Sequence, residues 1–285
     1  MAWDERQRRM LEAMGIRLWA PAVREAREEV EDREEVEEGE AVEAASAEAA
    51  AETLRRQARV GSVGSPGPAS KVAAAPPRAE AAPPAALDAL DWPALRAAVA
   101  ACTGCGLCAT RTNTVFGVGA AGAQWMVVGE APGEQEDRAG EPFVGKAGQL
   151  LDRMLRAIDV ERADDDGEPG RRAFICNVLK CRPPGNRNPT PDEVRRCEPF
   201  LRRQVALLQP RIVLALGRFA VQALLGSDEP IGRLRGRVHR YEGRPLVVSY
   251  HPAYLLRNPA DKARAWDDLC LARETLAAAV ADAPP

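Results

Sequence analysis

Apolar residues along this chain fall into two kinds of run, and the two kinds alternate. Trp125 to Val128, Ala173 to Val178 and Ile212 to Leu216 are short, nearly unbroken apolar blocks, the pattern of strands buried on both faces of a parallel sheet. Between them, Leu150, Leu151, Met154, Leu155 and Ile158 recur at helical spacing, as do Val194, Cys197, Leu201, Val205 and Leu208. Thr190-Pro-Asp-Glu193 supplies a capping box with proline at the first helical position for the second of these helices. Further helices are expected over Phe219 to Leu225 and Lys262 to Val280, and further strands over Arg237 to Tyr241 and Pro245 to Tyr250. Strands alternating with helices predict an α/β fold: three layers, α/β/α, around a central, largely parallel sheet of four to five strands.

The alternation does not reach the N-terminus. Residues 61–87 hold six prolines and three glycines and read as a disordered linker. Glu25 to Glu52 is acidic and Ala-rich with no apolar face. Residues 4–19 suit a short helix carrying Met10, Leu11 and Met14, too short to stand alone in water and suited to docking on a protein partner. The division expected is a low-complexity, largely disordered extension over 1–90 and a folded domain over 91–285, opening with Asp91 as N-cap and Pro93 in the first turn.

Composition narrows the classes. No apolar run is long enough for a membrane span, and the charged first ten residues lack the apolar core of a signal peptide, so a cytoplasmic protein is expected. Seven cysteines there point to metal ligation or inert burial instead of disulfides. The net charge of −3 is uneven: acids dominate the first sixty residues and leave the remainder mildly basic, as a nucleic-acid binder can be. A monomer is expected.

Candidate chemistry gathers at strand ends. The stretch from Gly129 to Gly148, between the first strand and its helix, is crowded with glycines, prolines and acids, and ligands of open α/β sheets bind where loops leave the strand carboxyl ends. Glu130 follows the first strand, Asn177 closes the second and His251 follows the last, so all three belong on one rim of the sheet. The cysteines form a second set. Cys102-x₂-Cys105 is a chelating pair, Cys181 and Cys197 are distant singles, and four such thiolates can close a site for zinc or for an iron–sulfur cluster. Cys108 leaves the choice of ligands open, since Cys-x₂-Cys-x₂-Cys also begins a ferredoxin-type run. Cys176 and Cys270 lie in apolar surroundings and read as core residues.

Four stretches carry a resemblance: Gly129-Glu-Ala-Pro-Gly-Glu-Gln-Glu-Asp137, Pro142-Phe-Val-Gly-Lys-Ala-Gly148, Asn177-Val-Leu-Lys-Cys-Arg-Pro-Pro184 and His251-Pro-Ala-Tyr-Leu-Leu256. Together, over residues 95 to 280, they resemble the family 4 uracil-DNA glycosylases, the iron–sulfur members of their superfamily. The resemblance implies a repair enzyme that flips uracil out of DNA and hydrolyses its glycosidic bond. It implies a [4Fe–4S] cluster on Cys102, Cys105, Cys181 and Cys197, with Cys108 left out. Asn177 would read uracil and Phe143 would stack on it. The loop around Glu130, Ala131 and Glu136 would hold the base and exclude thymine, and His251 would face the pyrimidine O2. Ala131 stands where other branches of the superfamily have a water-orienting aspartate, so Glu130 or Asn186 must take that role. A covalently trapping branch has a histidine in the loop that here reads Cys181-Arg-Pro-Pro-Gly-Asn186, so turnover is expected. Tyr254, Leu255 and Leu256 read as an exposed apolar loop, with Leu255 as the wedge that enters the duplex. Two rival classes remain at this point: an iron–sulfur electron carrier, and an iron–sulfur or zinc-stabilised module that binds uracil or DNA without catalysis.

Overall fold

The computed structural model describes residues 87–162 and 168–281. The expectations for the short N-terminal helix, the acidic run and all but the end of the linker lie outside the described residues. The first helix, α1 (Trp92–Ala100), begins at Asp91, whose carboxylate accepts the Ala94 N–H at 2.9 Å. Three parallel strand–helix units follow: β1 (Trp125–Gly129) with α2 (Glu134–Ala139) and α3 (Lys146–Arg156), β2 (Ala173–Asn177) with α4 (Pro191–Leu208), and β3 (Ile212–Leu216) with α5 (Arg218–Leu225). A short α6 (Ile231–Leu234) leads into the hairpin β4 (Val238–Tyr241) and β5 (Arg244–Ser249), then α7 (Pro252–Arg257) and the long α8 (Lys262–Ala281). In α4 the expected capping box is present: the Thr190 hydroxyl accepts the Glu193 N–H, and the Glu193 carboxylate accepts the Thr190 N–H at 2.9 Å.

The sheet has five strands in the order β2-β1-β3-β5-β4, with β4 antiparallel at the edge and the rest parallel. Side chains alternate across each strand, so the sheet divides the core in two. Met126, Val128, Phe174, Val213 and Val248 face one layer with Leu95, Leu201 and Val221 of α1, α4 and α5. Trp125, Val127, Ile175, Leu214 and Val247 face the other with Leu151, Met154 and Trp266 of α3 and α8. This is the three-layer α/β/α arrangement read from the alternation. β5 stops at Ser249, one residue short of the expected end, where Tyr250 leaves the sheet to stack on Tyr254 with ring centroids 5.1 Å apart.

The segment after β5 departs from expectation. Leu255 is not an exposed wedge: it is fully buried in the α3–α8 core layer. The reason is helical: α7 packs against α3, and Pro252 and Leu255, three residues apart, both face inward. Tyr254 is half-buried, with its hydroxyl donating to Asp261 at 2.6 Å. Leu256 alone of the three is exposed, at 44%.

The long loop after β1 is built around Phe143, which has a left-handed backbone (φ 55°) that costs a residue with a side chain. Three contacts hold it there. Arg162 donates to the Pro142 carbonyl at 2.8 Å and the Phe143 carbonyl at 2.9 Å, with its Nε on Asp152. The Glu136 carboxylate accepts the N–H groups of Gly133 (3.1 Å) and Val144 (3.2 Å), stapling both ends of α2 into the loop. Gly148 of α3 lies under the turn, where an added Cβ would stand 1.6 Å from the Phe143 oxygen. That neighbour is backbone and cannot swing away. Gly148→Ala is therefore expected to destabilise the protein by about 1–3 kcal/mol, the usual range for overpacking. Gly122→Ala, with no atom within 4 Å of the new carbon, is the matched control and should change little. Urea unfolding of both variants checks this, and equal midpoints would remove Gly148 from the account.

Candidate functional site

The parallel strands carry their polar ends to one rim. β1 and β2 are paired with Gly129 opposite Asn177, and the ladder continues past the strands through Val178 N–H to the Gly129 oxygen (2.9 Å) and Leu179 N–H to the Glu130 oxygen (3.0 Å). Gly129 is the point of closest approach. A Cβ there would stand 2.4 Å from Asn177 Oδ1 and 2.7 Å from Phe143 Cζ, so the amide and the phenyl ring both lean over a residue without a side chain. Phe143 in turn stacks on His251, with ring centroids 5.4 Å apart and 27° between the planes. Asn177 and His251, two of the three strand-end residues, thus come together with Phe143, which the strand ends did not predict.

His251 is the N-cap of α7, and its Nδ1 accepts the Ala253 N–H at 3.1 Å. That bond makes Nδ1 an acceptor, so the neutral ring carries its proton on Nε2. Burial, with a smaller contribution from Arg257, pushes its pKa down to about 4, which keeps the imidazole neutral near pH 7. Glu130 is partly buried, and burial raises its carboxyl above the usual range against the opposing pull of Arg218. It borders a cleft of about 390 Å³ lined also by Val178, Pro189, Phe219 and Asp228, through which water can reach it.

Three of the expected site residues serve otherwise than as side chains aimed at a ligand. The Glu136 carboxylate is committed to the loop backbone, because an N-terminal capping position faces its own helix's free N–H groups; its contribution is to hold the loop. The Ala131 side chain packs against the apolar group of Leu107, Leu179 and Cys181. Asn186 sits on an exposed turn with φ 55°, and its Oδ1 accepts Arg182 Nε at 2.7 Å.

The second set converges as well. Cys102, Cys105, Cys108, Cys181 and Cys197 line a single recess between the end of α1, the loop after β2 and α4. Among the described residues no three His, Cys, Asp or Glu side chains are grouped as a ligand set for a metal ion. The thiols differ in what reaches their sulfurs. Cys102 accepts the Gly104 N–H at 3.4 Å, Cys197 the Lys180 N–H at 3.2 Å, Cys181 the Arg111 guanidinium at 3.2 Å, and Cys105 a backbone bond from Leu107. Cys108 instead points its own S–H at the Thr103 oxygen. Donors aimed at sulfur stabilise thiolate, the ligating form. Burial raises the thiols of Cys105 and Cys181 and pushes Cys197 up to about 12, which favours the protonated form of these three.

Sequence reading missed two supports. Arg162 looks like any surface arginine until the loop folds back onto it, and Lys180 reads as a basic loop residue although it is 2% exposed. The latter had one signal, its place between the strand end Asn177 and the candidate ligand Cys181.

Comparison with known proteins agrees with this geometry. The profile of the uracil DNA glycosylase superfamily matches residues 116–270. A type-4 uracil-DNA glycosylase of Thermotoga maritima is 41% identical over 165 residues, covering 57% of this chain and 82% of the relative. One of Archaeoglobus fulgidus is 43% identical over 169 residues, covering 56% and 81%. A type-5 uracil-DNA glycosylase of Pyrobaculum aerophilum is 36% identical over 145 residues and is covered over 62% of its length. With the rim group and the thiol recess in place, this chain belongs to the uracil-DNA glycosylase superfamily, and within it to the type-4 family.

Proposed function

We propose that this protein excises uracil from DNA by hydrolysing the N-glycosidic bond, leaving an abasic site for base-excision repair in the cytoplasm. The observation that carries the reading is the convergence of Asn177, Phe143 and a neutral His251 on one rim. The target base is flipped from the stack before any bond breaks. Phe143 offers an aromatic face, and the Asn177 amide offers a donor to O4 and an acceptor to N3–H, the edge on which uracil and cytosine differ. Breaking the bond leaves negative charge on the base and positive character on the sugar. The Nε2–H of His251 is suited to donate to O2, where that negative charge collects. Glu130, with its own cleft to water, is favoured over the exposed Asn186 to orient the attacking water.

The donor pattern at the recess fits a [4Fe–4S] cluster held by Cys102, Cys105, Cys181 and Cys197, with Cys108 outside the set. Such a cluster supplies cross-linking and folding energy here, since hydrolysis moves no electrons. An electron carrier would have no use for the Asn177–Phe143–His251 group.

Purified protein should release uracil from DNA without added nucleotide, and His251→Ala should lower the single-turnover rate by roughly 10²–10³-fold, the cost of one such donor. Iron-replete protein that releases no uracil would end this reading in favour of a non-catalytic binding module. The pH profile checks the acid. Glu130 orients water as the carboxylate, and its raised pKa means the rate should begin to fall at a higher pH than an ordinary glutamate would give. His251, with a pKa pushed down to about 4, begins to charge at a lower pH. In Glu130→Gln the rate should be lower and this acid limb absent; a limb that survives unchanged assigns it to another group.

The wedge reading passes from Leu255 to Leu256, which stands exposed beside the exposed Arg257. A wedge offsets unstacking that costs a few kcal/mol in a duplex and much less in a single strand. Leu256→Ala should therefore slow excision from duplex DNA more than from single strands, measured under single-turnover conditions. Equal losses would leave Leu256 as an ordinary surface residue.

A further inference from the structure

Lys180 is among the largest fully buried side chains of the protein, and a lysine is rarely buried without partners for its charge. Its Nζ donates to the Asn177 carbonyl at 2.7 Å and also reaches the Cys176 thiol. Neither partner is an anion: one is a carbonyl, and burial raises the Cys176 thiol above its ordinary value. Lys180 also lines the thiol recess, its charge acts on Cys197, its N–H donates to Cys197 Sγ at 3.2 Å, and its carbonyl accepts the Val115 N–H at 2.8 Å. The next residue is Cys181. One buried residue therefore touches the base-reading strand and the thiol recess together.

We propose that Lys180 couples the two sites: its ammonium is the buried counter-charge of the cluster, and the same ammonium fixes the Asn177 main chain and so positions the amide that reads the base. The inference rests on the uracil-excision and cluster readings above. Four thiolates outweigh the positive charge of a [4Fe–4S] core, so the loaded recess is net negative and supplies the anion that Lys180 lacks. Arg111 and Arg196 are the other cations at the recess; Arg111 bonds to Cys181 Sγ and the Ala100 carbonyl, and Arg196 to the Gly104 carbonyl and Asp192, with no bond from either to the rim among the described residues. Arg111 thus shares the charge role of Lys180 without its link to Asn177, and the two can be separated. In this arrangement Lys180 is a positioning residue. Loss of the cluster leaves its charge uncompensated, and the disturbance falls first on Asn177, so base recognition weakens before the fold does.

The test uses full-length protein with free uracil as the probe, comparing Lys180→Met, Lys180→Gln and Arg111→Met. Two quantities are read: the uracil dissociation constant by calorimetry, and the lifetime of the visible iron–sulfur absorbance in air. Lys180→Met removes a donor from a buried carbonyl and should weaken uracil binding roughly tenfold, with a shortened chromophore lifetime. Lys180→Gln keeps a donor near Asn177 and loses the charge, so it should shorten the lifetime while uracil affinity stays close to that of the unmodified protein. Arg111→Met should shorten the lifetime alone. Unchanged uracil affinity in Lys180→Met, or an equal loss in Arg111→Met, overturns the coupling. If Lys180→Met does not fold, Lys180→Gln decides: an unchanged chromophore lifetime overturns the proposal. Unmodified protein without iron, or without uracil release, instead overturns the readings on which the proposal rests.

Discussion

The rim of this sheet depends on a residue with no side chain. At Gly129 the amide of Asn177 and the ring of Phe143 come so close that a Cβ would meet both. The approach is imposed from below by the parallel register of β1 and β2, which places Gly129 opposite Asn177, and by two backbone bonds that carry the ladder into the loops. Phe143 is held in a left-handed backbone by Arg162, Glu136 and the bare surface of Gly148. That strain sits beside Gly129, Asn177 and His251, and strained residues tend to cluster at functional sites.

The same economy shows in His251. Its ring caps α7, and the cap bond selects the tautomer whose free edge is a donor. Burial then keeps the ring neutral. A helix-capping role and the proposed role toward a developing oxyanion thus fall to opposite sides of one imidazole. Glu130 is the contrasting case: it keeps partial access to water, and burial raises its carboxyl only against the pull of Arg218. Burial disfavours the charged form of both groups, lowering the imidazole and raising the carboxyl, and a nearby arginine opposes the shift only at Glu130.

Much of the fold was legible because its strands are buried on both faces and its helices on one, which writes two distinct periods into the chain. The capping box at Thr190, the N-cap at Asp91 and the core face of α3 are local signals that local bonds then satisfy. The meeting of Asn177 with His251 about Phe143 was partly legible, since parallel strands leave their carboxyl ends on one side, whereas Glu130 borders a cleft of its own. Leu255 and Leu256 show where local reading runs out. Adjacent leucines in a short segment look equivalent along the sequence, and only the docking of α7 on α3 buries one and exposes the other.

By itself, then, the sequence determined the α/β alternation, the strand ends that carry polar groups and the family to which their motifs belong, because each is a short-range pattern. Tertiary structure decided which oxygen, nitrogen or sulfur each of those groups meets. Glu136 faces loop backbone, Asn186 faces Arg182, Cys108 turns to Thr103 while its four neighbours receive donors, and Lys180 is drawn inside. Such pairings join residues distant along the chain, and their geometry is set only when the layers close and every buried polar atom must find a partner.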